Sequence, residues 1–251
     1  MKSLQPDASA LSYTAEYQIR TYEIDRNKEA TVPALIQLMQ EAAMQNVIEL
    51  NLSVWDLEPH HISWVLMKQK MEFKRIPKLG DKIKVYTCPT GFEKFFTYRD
   101  YIIYDADNQP IVTVATTWLL MDTNTRRMTR IPDFIRKFDI EKEDHLPRVN
   151  KKLPKFERVD FERQHEVSWY DLDFNEHLNN TVYFQWMLED VPDEVLLNKK
   201  LSDLQIQFRM EGRWREQIVS QVQHLSENEY LHQLIRKEDG KELASALTKW
   251  T

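Results

Sequence analysis

Apolar positions along this chain recur with two periods, and the same succession of periods occurs twice. Leu35, Leu38, Met39, Ala42, Ala43 and Val47 fall at helical spacing, with Pro33 in the opening turn, where a missing N–H costs little. From Trp64 to Phe73 the period shortens to two: Lys68, Lys70 and Glu72 alternate with Met67, Gln69 and Met71, a strand with one wet face. Phe95 to Tyr104 and Ile111 to Met121 are rich in Thr, Tyr and Val and flank the turn residues 105–110, which predicts a hairpin. A second helix is predicted from about Thr181, carrying Val182, Tyr183, Phe184, Trp186, Met187 and Leu188 and stopping near Pro192. It is apolar nearly all round, so the fold must cover it on most sides. A long antiparallel sheet curled around one helix does that, which makes the expected class α+β.

The repetition extends to individual residues. Tyr22–Glu29 matches Tyr170–His177, Phe73–Ile76 matches Phe208–Glu211, and the run from Asp107 to Trp118 matches that from Asp239 to Trp250. Three matches in one order point to a duplicated unit of strand, loop, helix and several strands. The second copy has the shorter loops. The expected organisation is an N-terminal unit over residues 1–145, a linker over 146–160 and a C-terminal unit over 161–251. The charged, proline-bearing stretch around Pro147 and Pro154 marks the linker.

Composition narrows the function. The 251 residues are 42% hydrophobic, enough for a real core, and a net charge of −6 argues against nucleic acid as the main partner. No apolar run approaches the length of a membrane span, so no membrane insertion is expected. The N-terminus resembles neither a signal peptide nor a transit peptide, and one cysteine, Cys88, permits no internal disulfide. Both point to a cytoplasmic protein. The four glycines are scattered and form no phosphate cradle, no serine sits in GxSxG, and the histidines lack zinc spacing. Chemistry here is expected to need no tight cofactor and no metal.

The segment Asp171–Asn180 carries the clearest chemistry. It places Asp173, Asn175 and His177 at alternate positions just ahead of the second helix. In an extended segment those three side chains share one face, beside the free N–H groups and positive end of a helix. Such a set suits reaction at a carbonyl. Asp and Asn before a helix also serve commonly as caps and turn formers, and Asn179 and Asn180 read better as caps. The first copy keeps Asp25 and Asn27 but has Glu29 where the second has His177. His60, His61, His165, His224 and His232 read as surface or satisfied core histidines.

Residues 22–46, 116–132 and 171–194 resemble segments of the acyl-acyl carrier protein thioesterases, the plant plastid enzymes and their bacterial relatives. The resemblance spans about residues 16 to 250 and implies a double hotdog fold. It further implies hydrolysis of the thioester between a fatty acyl chain and the phosphopantetheine arm of acyl carrier protein; an N-terminus unlike a plastid transit peptide favours a bacterial member. By position it assigns catalysis to Asp173, Asn175, His177 and Glu211. Read alone, Glu211 is an ordinary strand carboxylate; the first copy has Ile76 in its place. The plant pattern has a cysteine directly after that glutamate, whereas this chain has Gly212, which favours attack by water.

The carrier is acidic and this chain is net negative, so docking needs a local basic patch. Arg213 and Arg215 are candidates, as are Arg126–Arg130 and Arg136–Lys137. Met39, Met44 and Met67, with Trp64, fit a core or an acyl-chain wall, since thioethers adapt to a flexible chain. We take them as candidate acyl contacts. An acyl-CoA thioesterase and a non-catalytic acyl-binding protein of the same fold are the alternatives, and the oligomeric state, a homo-oligomer included, is left open by the sequence.

Overall fold

The computed structural model describes residues 11–138, 146–149 and 152–251. The chain divides into two compact units, residues 1–148 and 149–251.

The first unit opens with β1 (Tyr13–Gln18), followed by helix α1 (Val32–Glu49), the single turn α2 (Val54–Leu57) and β2 (Ile62–Phe73). Strands β3 (Lys82–Glu93), β4 (Phe96–Tyr104), β5 (Pro110–Asp122) and β6 (Arg127–Thr129) and the short α3 (Asp133–Arg136) complete it. The second unit contains β7 (Phe161–Glu166), α4 (Asn180–Glu189), α5 (Asp193–Asn198), β8 (Leu201–Phe208), β9 (Gln217–Ser226), β10 (Glu229–Arg236) and β11 (Glu242–Trp250).

All pairing within each unit is antiparallel. The strand order of the first unit is β1-β3-β4-β5-β2, with β6 beside β5. That of the second is β7-β9-β10-β11-β8, the same order strand for strand. Helix α1 packs on β1 and β3, and α4 on β9 and β10, so each sheet covers one apolar helix as the sequence pattern required.

The helices start as their sequences dictate. Thr31 caps α1, its Oγ1 accepting the Ala34 N–H at 3.2 Å, and Pro33 lies in the first turn. Asn179 caps α4, its Oδ1 accepting the Thr181 N–H at 3.0 Å. The predicted alternation in β2 holds beyond a bulge at Met67: Gln69, Met71 and Phe73 are buried, while Lys68, Lys70 and Glu72 face outward. The duplication is visible in detail at the sheet ends. Trp118 Nε1 donates to Thr116 Oγ1 at 2.8 Å, and Trp250 Nε1 to Thr248 Oγ1 at 2.9 Å.

The boundary between units differs from the expected linker at its first residues. Arg148 belongs to the first unit: its guanidinium is buried 2.7 Å from Asp100 Oδ1, donates to Thr90 Oγ1 and lies over the Tyr98 ring. Residues 157–160 are tied to β9 through Glu157 N–H to Gln223 Oε1 and His224 N–H to Asp160 Oδ2. Both ends of the stretch are thus bound, one to each unit, because buried polar groups there find partners on a sheet.

Candidate active site

The segment ahead of α4 is a closed turn, which differs from the extended strand expected of it. Asp173 Oδ1 accepts the N–H of Asn175 at 2.8 Å and of His177 at 3.1 Å, and its own N–H donates to the His177 carbonyl. Glu176 adopts a left-handed conformation, φ 60°, to close the loop. The carboxylate therefore folds the chain back on itself, and a period-two reading cannot apply inside that ring of hydrogen bonds. Asp173 holds backbone, and the Asn175 amide, exposed, stands 3.5 Å from its second oxygen.

The same turn exists in the first unit. Asp25 Oδ1 accepts from Asn27 and Glu29 N–H at 2.7 and 3.1 Å, and Lys28 has φ 61° where Glu176 has 60°. Each turn then pairs with a loop after the unit's long strand: Glu29 bridges to Lys78, and His177 to Arg213. The scaffold is common to both copies; the side chains differ.

What the second copy adds is a contact. His177 Nε2 lies 3.2 Å from Glu211 Oε2, with both side chains about a quarter exposed (20% and 27%). The corresponding pair in the first unit is Glu29 and Ile76, which cannot form it. Glu211 is held from behind. Its carbonyl accepts from Arg236 Nη2 at 3.1 Å, and Arg236 Nε is ion-paired to Glu216 at 3.2 Å.

The sequence marks Tyr183 only as an apolar helix position, and the fold gives its hydroxyl a task. It accepts the Gly212 N–H at 2.9 Å and donates to the Met210 carbonyl at 3.2 Å, bracketing Glu211 on both sides. Burial pushes its phenol pKa up, so it stays protonated and remains a donor. The signal in the sequence was the repeat itself, which has Leu35 at this position.

Gly212 is closely packed, and a side chain there would require its neighbours to shift. A Cβ there would stand 3.0 Å from Leu178 Cδ2 and 3.2 Å from Leu243 Cδ2. The backbone donors near the helix start are largely committed as well. The N–H groups of Asn175, Glu176, His177, Leu178 and Asn179 all donate within the turn and its partner loop. The Asn175 side chain, exposed and only weakly held at 3.5 Å from Asp173, and the N–H of Asn180 at the first position of α4 are the donors that could meet a developing oxyanion.

The other candidates fall as follows. Arg213 and Arg215 are exposed on the loop after Glu211, in the second unit. Met39 is buried in α1, Met44 half-buried on the same helix, and Met67 half-buried at the β2 bulge. Trp64 packs on a satellite core of Leu52, Leu57, Ile62, Leu120, Ile131 and Ile135, its Nε1 donating to the Leu52 carbonyl. All four belong to the first unit. His232 is fully buried beside Thr248 Oγ1 at 2.9 Å, and burial lowers its pKa to about 3. His165 sits on Trp186 and against Asp190 Oδ2 at 2.9 Å. Among the described residues no cluster of His, Cys, Asp and Glu fits a metal ion, and no helix is long and apolar enough to cross a membrane.

Two units of a curled antiparallel sheet packed on one helix, with a His–Glu contact added to one of them, define a tandem hotdog protein. The chain belongs to the acyl-ACP thioesterase family: the N-terminal domain of that family matches residues 10–138 and the C-terminal domain residues 155–251. It is 30% identical, over 96% of its length, to a chloroplastic acyl-[acyl-carrier-protein] hydrolase of Cuphea viscosissima. It is likewise 30% identical over 96% to a chloroplastic palmitoyl-acyl carrier protein thioesterase of Cuphea hookeriana. The match spans 63% and 62% of those two relatives. A 12:0-ACP thioesterase from Umbellularia californica superposes with TM-score 0.86 over 96% of this chain and 97% of that one, at 23% identity. An acyl-ACP thioesterase from Bacteroides thetaiotaomicron gives 0.84 over 96% and 98%, at 18% identity. The likeness to these solved structures is one of fold.

Proposed function

We propose that this protein hydrolyses the thioester between a fatty acyl chain and the phosphopantetheine arm of acyl carrier protein, releasing the free acid. The observation that carries the reading is the His177–Glu211 contact at 3.2 Å, present in one copy of a duplicated scaffold and precluded in the other by Glu29 and Ile76. Membership of the family supplies the substrate class.

In this reading Glu211, with His177 at its side, takes a proton from water as the oxygen attacks the carbonyl carbon. The tetrahedral intermediate collapses by breaking the C–S bond. The arm leaves as a thiolate, a good leaving group that needs no strong acid, and the abstracted proton can pass to it or to solvent. The Asn175 amide supplies a hydrogen bond to the developing oxyanion, a donor whose loss typically costs about 100- to 1000-fold. Asp173 acts by holding the turn that carries Asn175 and His177. Water is the nucleophile in this reading because position 212 carries no side chain, and a Cβ there would sit tightly against Leu178 and Leu243. Cys88 lies in β3 of the first unit, its Sγ 3.3 Å from the Pro89 carbonyl. The first unit, lacking the pair, is assigned the acyl chain, with Met39, Met44, Met67 and Trp64 as its candidate contacts. The relatives in Cuphea are chloroplastic, so the cytoplasmic, bacterial setting is supported by the sequence reading alone.

The test is release of free thiol from a panel of acyl carrier protein thioesters of varied chain length, beside the matching acyl-CoA. Turnover on the carrier substrates, abolished in Glu211→Ala, is expected. A folded protein that binds these thioesters without cleaving any would replace hydrolysis by acyl storage. A higher kcat/KM on CoA would replace the carrier.

A further inference from the structure

The two units share a backbone but differ sharply in the surface beside the turn. In the second unit Trp169 is 62% exposed, Tyr170 96%, Phe174 69% and Trp214 48%. The hydrogen-bond correspondence places Thr21, Tyr22, Arg26 and Leu79 at these positions in the first unit. Three positions that hold no ring in the first copy thus carry an exposed ring in the second. Trp169 and Trp214 meet edge to face at 5.3 Å, so these two rings form a patch; Tyr170 follows Trp169 in the chain and Phe174 lies on the adjoining turn.

Arg215 supplies an independent asymmetry. It has φ 63°, in the left-handed region, where the first unit has Gly80 at φ 84° with open space around it. An L-residue there costs about 1–2 kcal/mol over glycine. The chain bears that strain and lays the guanidinium over the Trp214 ring, 4.4 Å from its centroid. Arg213, also exposed, is bridged through its backbone to His177. Of the acidic neighbours, Asp171 accepts the Ser168 N–H, Asp173 those of Asn175 and His177, Glu211 contacts His177, and Glu216 meets Arg236 and the Arg213 N–H; Glu176 is exposed. Arg209, by contrast, is ion-paired to Glu242 at 2.7 Å.

Exposed Trp, Tyr, Phe and Arg in one patch is the composition of an interface core. Here it adjoins the reacting pair: Phe174 shares its turn with His177, and Trp214 its loop with Glu211. We infer that the patch formed by Trp169, Tyr170, Phe174 and Trp214 with Arg213 and Arg215 is the docking surface for the acidic carrier protein. The rings meet apolar residues of the carrier while the two arginines meet its carboxylates. This rests on the reading under Proposed function, and charge decides the occupant. A chain of net charge −6 attracts an acidic partner only through a local basic field, and Arg213 and Arg215 are the exposed cations that this patch presents.

The test returns these positions to the first unit's residues, which the same backbone already carries: Trp169→Thr with Trp214→Leu, and separately Arg215→Gly. Three quantities are measured on wild type and variants. They are kcat/KM on an acyl carrier protein thioester and on the acyl-pantetheine thioester of the same chain, the Kd for holo-acyl carrier protein by calorimetry, and co-sedimentation with phosphatidylglycerol vesicles. The expected result is a loss on the carrier substrate roughly thirtyfold larger than on the pantetheine thioester, matched by the change in Kd. Arg215→Gly, which also relieves the backbone, is expected to raise stability yet weaken carrier binding. Equal losses on both substrates, or carrier binding unchanged in folded variants, overturn the proposal. Tryptophan-dependent sedimentation with vesicles, with carrier binding untouched, replaces the carrier by a lipid surface. If wild type binds the carrier through these residues but cleaves neither thioester, the docking surface stands and the hydrolytic reading falls.

Discussion

His177 Nε2 and Glu211 Oε2 meet at 3.2 Å across two loops whose counterparts in the first unit make the same backbone hydrogen bonds but hold Glu29 and Ile76. One scaffold thus serves twice, and only one copy carries the His–Glu contact. The scaffold residues and the reacting residues can therefore be tested apart.

Glu211→Ala and His177→Ala are each expected to lower kcat/KM by about 100- to 10,000-fold, the range for losing a general base. Neither side chain is buried, so melting temperatures stay within a few degrees of wild type. Thiol release and thermal unfolding on the same preparations check both halves; near wild-type turnover in either variant removes that residue from the reaction.

Asp25→Ala and Asp173→Ala each strip two backbone N–H groups of their acceptor, at a cost of about 1–2 kcal/mol apiece. Denaturant unfolding is expected to give similar losses for the two. Activity separates them: Asp173→Ala loses far more turnover than its stability loss explains, whereas Asp25→Ala does not. Equal effects on activity would mean that the turn beside His177 has no special role.

Tyr183→Phe removes the hydroxyl that joins Met210 and Gly212 around Glu211. Leaving the Gly212 N–H unpaired in a buried setting costs about 1–3 kcal/mol. As a positioning residue, Tyr183 is expected to act on kcat with KM little changed and to shift the acidic limb of the pH–rate profile. A purely structural role would lower stability and leave that profile in place.

Gly212→Cys sets a Cβ within 3.0–3.2 Å of Leu178 and Leu243, and overpacking of this kind costs about 1–3 kcal/mol. The variant is expected to be less stable, and Leu178→Ala to restore part of the loss in the double mutant. A Gly212→Cys protein of full stability whose turnover becomes sensitive to thiol alkylation would argue for a different nucleophile.

His232 gives an acid-dependent contribution to stability. Its pKa is about 3 in the fold and about 6.5 in the unfolded chain, so between those values the unfolded state binds more protons. Its contribution is complete above pH 6.5 and declines as pH falls toward 3, by about 1.4 kcal/mol per unit at most. His232→Asn, which carries no titrating group, is expected to flatten the stability curve over that window. An unchanged slope would assign the acid lability to the carboxylates instead.

Most of the fold was legible in the sequence because burial leaves periodic marks. The α4 sequence, apolar nearly all round, demanded a wrapping sheet, and the turn, strand-end and Trp118/Trp250 matches declared the duplication before any contact was visible. The helix caps at Thr31 and Asn179 follow from local chemistry. Position by position, the repeat even aligned Ile76 with Glu211. What local pattern could not give was the path of residues 171–179. Alternation predicts a shared face only for extended backbone, and Asp173 closes this segment into a ring by accepting two of its own amides. The Tyr183 hydroxyl was hidden for a related reason: a ring at an apolar helix position does not announce which distant carbonyl its oxygen will reach.

The sequence by itself determined the two units, their strands and helices, and which copy carries His177 and Glu211, since these follow from hydrophobic periodicity and from comparison of the copies. The tertiary structure alone decided that those two side chains meet, that Gly212 packs tightly against Leu178 and Leu243, and that Trp169 and Trp214 lie in contact on the surface. Each joins residues far apart in the chain, and only the strand register and the loops it brings together set the distance between them.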